Sequence, residues 1–136
     1  MAGLKNAGHT EEDPDTAVPL LVLAACPIDS RPQGAPRLSG MLKIGVRRGS
    51  LAYRAYGRLK AEEAFACNYE LNSAYRPALV KAGLKVTGVG EDGGTRIVEL
   101  PDHSFYVGTG FLPQLSSTAA RPHPLIVAFL RAAVEQ

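Results

Sequence analysis

Apolar residues come in short runs separated by turn-forming residues, and their spacing changes from run to run. Val18-Pro19-Leu20-Leu21-Val22-Leu23-Ala24-Ala25-Cys26 is continuously apolar and stops at Pro27, the pattern of a buried strand or an apolar extended connector. Met41 to Arg47 alternates apolar with charged or small residues, so one face of a strand is buried and the other wet. Between them Pro32, Gly34, Pro36 and Gly40 mark a loop from Ser30 to Gly40. Ser50 caps a short helix carrying Leu51, Tyr53 and Tyr56, which Gly57 stops. Phe65, Cys67 and Tyr69 alternate with Ala66 and Asn68 as in a strand with one inward face, and Asn72 or Ser73 then caps a helix closed by Gly83. Leu84–Val89, the turn Gly90-Glu91-Asp92-Gly93-Gly94 and Arg96–Leu100 read as a hairpin. After the Pro101-Asp102 turn a more buried strand follows, and from Pro122-His123-Pro124 a helix carries Leu125, Ile126, Phe129, Leu130 and Ala133 as an apolar stripe toward the sheet.

At 136 residues this is enough chain for one domain burying roughly two thirds of its unfolded surface. The balance of 46% hydrophobic and 21% charged residues is that of an ordinary globular protein and excludes a disordered or fibrous chain. The net charge of +2 comes from scattered cations, densest at Lys43, Arg47, Arg48, Arg54, Arg58 and Lys60; so thin a cluster reads as a solvated face, and no nucleic-acid partner is expected. The longest apolar run, ending at Cys26, is far short of the ~18 residues of a membrane span, and the start lacks a secretory pattern. With only Cys26 and Cys67 there is no disulfide framework, and the expected compartment is the cytoplasm. No phosphate loop, zinc spacing or repeat is present, so no metal or cofactor is expected, and Gly88-Val89-Gly90 ends a strand without opening a helix.

From Ile97 to Leu125 the sequence reads IVELPDHSFYVGTGFLPQLSSTAARPHPL. It resembles the end of the glutamine amidotransferase domain of CTP synthase, where a strand carrying His-Pro-Glu is followed by a loop and Arg-Pro-His-Pro-Leu. The shared frame is Glu99-Leu100-Pro101-Asp102-His103, Val107-Gly108, Phe111, Pro113 and Arg121-Pro122-His123-Pro124-Leu125. The likeness starts at the first residues: Ala2-Gly3-Leu4-Lys5, Thr10-Glu11 and Asp13-Pro14-Asp15 match the segment after the helix that leaves the family's nucleophile elbow. The chain therefore looks like the carboxy-terminal half of that domain standing alone, or like part of a longer protein whose start was assigned late. It is also similar to stand-alone proteins related to this region, some described as selenoproteins, which have a Cys after the apolar run and another before the Tyr-x-Leu-Asn segment; here these are Cys26 and Cys67.

Glutamine hydrolysis in this fold needs a Cys thiolate, backbone donors for the oxyanion, and a His oriented by a carboxylate. The resemblance puts the nucleophile upstream of Met1, the base at Leu112 and the orienting carboxylate at Gln114. Of the glutamine-holding groups it implies, the acidic-loop Glu is Glu11, while the Arg before Tyr69 is replaced by Asn68. The substrate-facing set is thus Glu11, Asn68 and Tyr69, and no catalytic set is complete. Cys67, Cys26 and His9 are the candidates for other chemistry. Each has a plainer reading: Cys67 as a buried small apolar side chain, Cys26 as packing beside Pro27, and His9 and Glu11 as members of a solvated acidic loop. His103 and His123 are expected to serve a turn and a helix start.

The expected fold is α+β, a truncated class I glutamine amidotransferase-like (flavodoxin-like) domain over residues 18–136 behind an acidic arm, 1–17. Its mainly antiparallel sheet comprises Met41–Val46, Ala64–Tyr69, Leu84–Val89, Arg96–Leu100 and Phe105–Gly110, with helices near Leu51–Tyr56, Ala74–Ala82 and Leu125–Val134. Such a truncation leaves apolar surface bare, so a homodimer or a complementary subunit is expected, with room for a small polar ligand. Two functions are expected: a degenerate, non-hydrolysing binding or subunit protein, or an enzyme with thiol, redox or other repurposed chemistry on a small polar or natural-product substrate.

Overall fold

The structure is a computed structural model and describes residues 2–24 and 39–135. Cys26 and most of the Ser30–Gly40 loop lie outside the described residues. The fold is α+β, and its strands form two sheets. The smaller has the order β1-β2-β5, in which β1 (Ala7–His9) runs parallel to β2 (Val18–Leu23) and β5 (Tyr69–Leu71) antiparallel to it. The larger is wholly antiparallel, with the order β4-β3-β6-β7-β8: β4 (Lys60–Ala66), β3 (Ser39–Val46), β6 (Lys85–Gly90), β7 (Thr95–Glu99) and β8 (Val107–Thr109). Helices α1 (Leu51–Tyr56), α2 (Arg76–Lys81) and α3 (Pro124–Val134) flank the sheets.

Local chemistry explains most boundaries. In β3 the alternation does what it promised, burying Ile44 and Val46 while Lys43, Gly45 and Arg47 stay exposed. Ser50 accepts the Tyr53 N–H at 2.9 Å to start α1, and Gly57, at φ 67°, ends it in the left-handed region that glycine enters without strain. The turn between β6 and β7 closes where Asp92 Oδ1 accepts the Gly94 N–H at 3.0 Å.

Four expectations are corrected. The segment Ala64–Tyr69 is two strands: β4 ends its ladder at the Ser39–Ala66 pair, the chain crosses over at Cys67-Asn68, and β5 joins the other sheet. Alternation reports which face a residue takes, not which sheet it enters. Cys67 sits at this crossing and is exposed rather than buried. The helix expected at Ala74–Ala82 begins as a 3-10 turn, Ser73–Tyr75, and becomes α-helical only from Arg76, because Pro77 has no N–H to offer Ser73. The stripe on α3 is only partly used: Leu125 is buried, but Phe129 and Leu130 are 53% and 56% exposed. That helix packs by its first turns.

The core is one cluster of Ile44, Val46, Ala52, Ala61, Ile97, Phe111 and Leu125, all from the larger sheet, α1, α3 and the segment after β8. Gly88 faces Ile97 so closely that a Cβ there would overlap it, so glycine is needed at this irregular point of the β6–β7 ladder. The two sheets are tied by Arg96 of β7, which reaches Glu70 of β5 at 3.2 Å and also pairs with Asp92 in its own hairpin.

Candidate functional site

The residues expected to hold a ligand gather where β1, β5 and the end of β4 meet. Following β1, the acidic loop turns back on itself: the Glu12 and Asp13 N–H groups both donate to the His9 carbonyl at 3.0 Å. The Glu11 N–H donates to His9 Nδ1, also at 3.0 Å. That bond leaves neutral His9 with its proton on Nε2 and its lone pair occupied, a poor arrangement for a general base. The His9 ring lies against Tyr69, with centroids 4.5 Å apart. Thr10 fixes the strand end by donating both N–H and Oγ1–H to the Leu21 carbonyl.

Across the crossing from β4 to β5, the Asn68 carbonyl accepts the Ala24 N–H at 2.8 Å, which aligns β5 with the end of β2. Cys67 Sγ accepts the Tyr69 N–H at 3.4 Å. His9, Glu11, Cys67, Asn68 and Tyr69 therefore share one neighbourhood.

Leu112 comes near it through a different element. Its N–H donates to the Ala64 carbonyl at 3.1 Å, so the segment after β8 is laced to the end of β4. It then heads a 3-10 turn, Pro113–Ser116, with φ −115° and ψ 89°. Leu112 is half-buried and Gln114 is exposed, and among the described residues neither side chain hydrogen-bonds to His9, Glu11 or Cys67. No group of three metal-binding side chains occurs among the described residues, and no helix there is long and apolar enough to cross a membrane.

The buried polar chemistry lies elsewhere and was not legible in the sequence. Glu63, 2% exposed, accepts the Tyr56 hydroxyl at 2.6 Å and faces His123 Nε2 at 3.0 Å. His123 Nδ1 accepts the Leu125 N–H at 3.2 Å, so the neutral ring carries its proton on Nε2 and donates it to Glu63. His123 thus serves the helix start, as expected, and holds a buried carboxylate as well. Burial first, then the bond to Glu63, pushes the Tyr56 hydroxyl well above the usual tyrosine range. His103 lies in the turn, its N–H donating to the Leu100 carbonyl at 3.3 Å. The one sequence sign of Glu63 was parity, because it shares a strand face with buried Ala61.

No protein-family model matches the chain. Curated CTP synthases do. That of Mycobacterium avium (strain 104) is 39% identical over 142 residues, covering 98% of this chain and 24% of the relative. That of Geobacter metallireducens is 36% identical, with coverages of 99% and 25%, and that of Sulfurisphaera tokodaii is 38% identical, with 98% and 25%. The chain spans about a quarter of the length of the curated relatives it matches. Among solved structures, the glutaminase domain of the Trypanosoma brucei CTP synthase, with bound acivicin, superposes with a TM-score of 0.89 at 24% identity, over 100% of this chain and 53% of that one. At that identity the match speaks for the fold.

Proposed function

Sequence and fold make this chain CTP synthase-related and glutamine amidotransferase-like, and from that premise we propose that it is a degenerate member that does not hydrolyse glutamine and acts as a binding or subunit protein. The observation that carries this is the pair Leu112 and Gln114, at the positions the resemblance gives to the base and to its orienting carboxylate. An aliphatic side chain neither takes nor returns a proton, and an amide cannot stabilise an imidazolium as a carboxylate does. The loss is intrinsic to residues present here and holds whatever precedes Met1. Asn68, where the family holds glutamine with Arg, removes a charged contact to the substrate as well. His9 does not substitute, because its free lone pair is already bonded to the Glu11 N–H.

A partner belongs to this reading. Phe129, Leu130 and Val134 expose one side of α3, and Leu23 and Met41 are 60% and 62% exposed. Light scattering on the purified protein distinguishes a homodimer from a monomer that needs a complementary subunit.

The deciding assay is release of ammonia and glutamate from glutamine by the purified protein. The expected result is no turnover above buffer; multiple turnovers abolished by glutamine-site inhibitors would overturn the proposal. The exposure of Cys67 keeps a second reading, repurposed thiol chemistry, in view. Fast saturable alkylation of Cys67, protected by a small polar ligand, would favour it.

A further inference from the structure

The cations that form one cluster in the sequence are divided by the fold. Lys43 and Lys60 line a cleft that also holds Glu62 and Glu91, so charge there is balanced. Arg47, Arg48 and Arg54 instead converge on a second cleft of about 370 Å³, where they meet Lys85 from β6 and His103 from the turn after β7. These last two are brought in from 31 or more positions along the chain by the sheet order β3-β6-β7.

In that second cleft the cations Arg47, Arg48, Arg54 and Lys85 outnumber the carboxylates four to one. The sole carboxylate of its lining is Glu99, which is 5% exposed and fully engaged, accepting the Leu51 and Ala52 N–H groups at 2.8 and 2.9 Å and the Thr87 hydroxyl at 2.8 Å. Among the described residues no carboxylate lies within ion-pair distance of Arg47, Arg54 or Lys85. Arg48 is held over the Tyr53 ring, its guanidinium carbon 5.5 Å from the centroid and Nη1 donating to the hydroxyl at 3.3 Å. Four cations converging on one carboxylate leave a net positive charge and repel one another, a cost that a bound anion lowers.

An adjoining groove extends the cleft. It shares Leu51, Arg54 and Ser104 with it, has a volume of about 520 Å³, and is walled by Ala55, Phe105, Pro124, Val127 and Ala128, with Arg131 and Glu135 of the α3 end at its rim. The combined site therefore offers guanidinium forks at one end and a mixed wall at the other, apolar at Ala55, Phe105, Val127 and Ala128 and charged at Arg131 and Glu135, within the size range of small-molecule pockets. Guanidinium matches the tetrahedral oxygens of a phosphoryl group in bidentate fashion.

We propose that Arg47, Arg48, Arg54 and Lys85 form a binding site for a phosphorylated small molecule, with its phosphoryl group in the cationic cleft and its organic part along the groove between α1 and α3. The site lies at the Glu99 end of β7, whereas Leu112 follows the strand that meets the Arg96 end, so it is separate from the degenerate glutamine site. It does not rest on the start of α1, which Glu99 already occupies.

Calorimetry with phenyl phosphate, inorganic phosphate and benzoate on the full chain tests this. The expected result is saturable one-site binding of phenyl phosphate, tighter than either of the others. The double variant Arg47→Ala, Lys85→Ala weakens it roughly tenfold or more, as loss of charge-assisted contacts does. Lys43→Ala with Lys60→Ala, on the balanced cleft, leaves it within about twofold. Arg54→Gln gives an independent loss should the double variant fold poorly. Equal weakening by the two double variants, no saturation below about 10 mM, or displacement of phenyl phosphate by a lower concentration of a single-stranded oligonucleotide overturns the proposal.

Discussion

At the residue scale, two carboxylates decide more than any candidate catalytic group. Glu99 ends β7, yet its side chain does the work of a helix cap, taking the first two N–H groups of α1 from across the fold. It adds the Thr87 hydroxyl, so three donors depend on one buried carboxylate. Glu99→Ala leaves all three without an acceptor, and each unsatisfied buried donor costs about 1–3 kcal/mol. The expected loss is at least about 3 kcal/mol, read as a lowered urea midpoint with α1 signals most affected; a loss below about 1 kcal/mol would mean that water or a neighbour replaces the carboxylate. The shared family frame marked Glu99 as a residue of note, but not what it holds. Its partners lie 47 and 48 positions away, and no local pattern encodes a contact at that separation. By contrast Ser50 and Gly57, whose bonds stay within one helix, were readable directly.

At the element scale, α1, β4 and α3 are joined by Tyr56 at the end of α1, Glu63 in β4 and His123 at the cap of α3. The tyrosine hydroxyl keeps its proton in the folded protein beyond the ordinary range, because burial and then Glu63 oppose its ionisation. An unfolded tyrosine releases its proton near pH 10, so the raised folded value contributes stability that is full below that pH and is lost as pH rises above it. Tyr56→Phe removes the bond and the titration together. The expected cost is about 1 kcal/mol near neutral pH, the usual net worth of such a bond. The gap to the parent protein should then narrow as pH is raised past about 10. Urea titrations of both proteins between pH 7 and 11 check this; a gap that stays constant would show that Tyr56 ionises freely when folded. The start of α3 was legible from Pro122-His123-Pro124, because a proline at the first helical position is a local signal. Its body was not, since an apolar stripe predicts that a face is buried without saying for how many turns.

At the scale of the whole molecule, the division into two sheets was the largest feature that the sequence left unread, and it has an energetic consequence. Every buried apolar residue of the core belongs to the larger sheet or to the segments packed on it, and none to β1, β2 or β5. The smaller sheet is held by short ladders, by the hydrogen bonds of the acidic loop, and by the Arg96–Glu70 pair, whose side chains are 8% and 19% exposed. Regions with few buried apolar contacts open at lower free energy than the global transition. Hydrogen exchange should therefore separate the two: amides of β3, β6 and β7 exchange slowest, and those of β1, β2 and β5 exchange faster by a sub-global opening. Arg96→Ala removes the clamp without touching the apolar core, so it should speed exchange in the smaller sheet well beyond its effect on the larger one. The residues His9, Glu11, Cys67, Asn68 and Tyr69 all sit on or beside that looser sheet, so the surface proposed to face a ligand lies on the part of the fold that opens most easily. Uniform protection across both sheets would show instead that they open as one unit, and the neighbourhood of Tyr69 would then have to bind as a rigid surface.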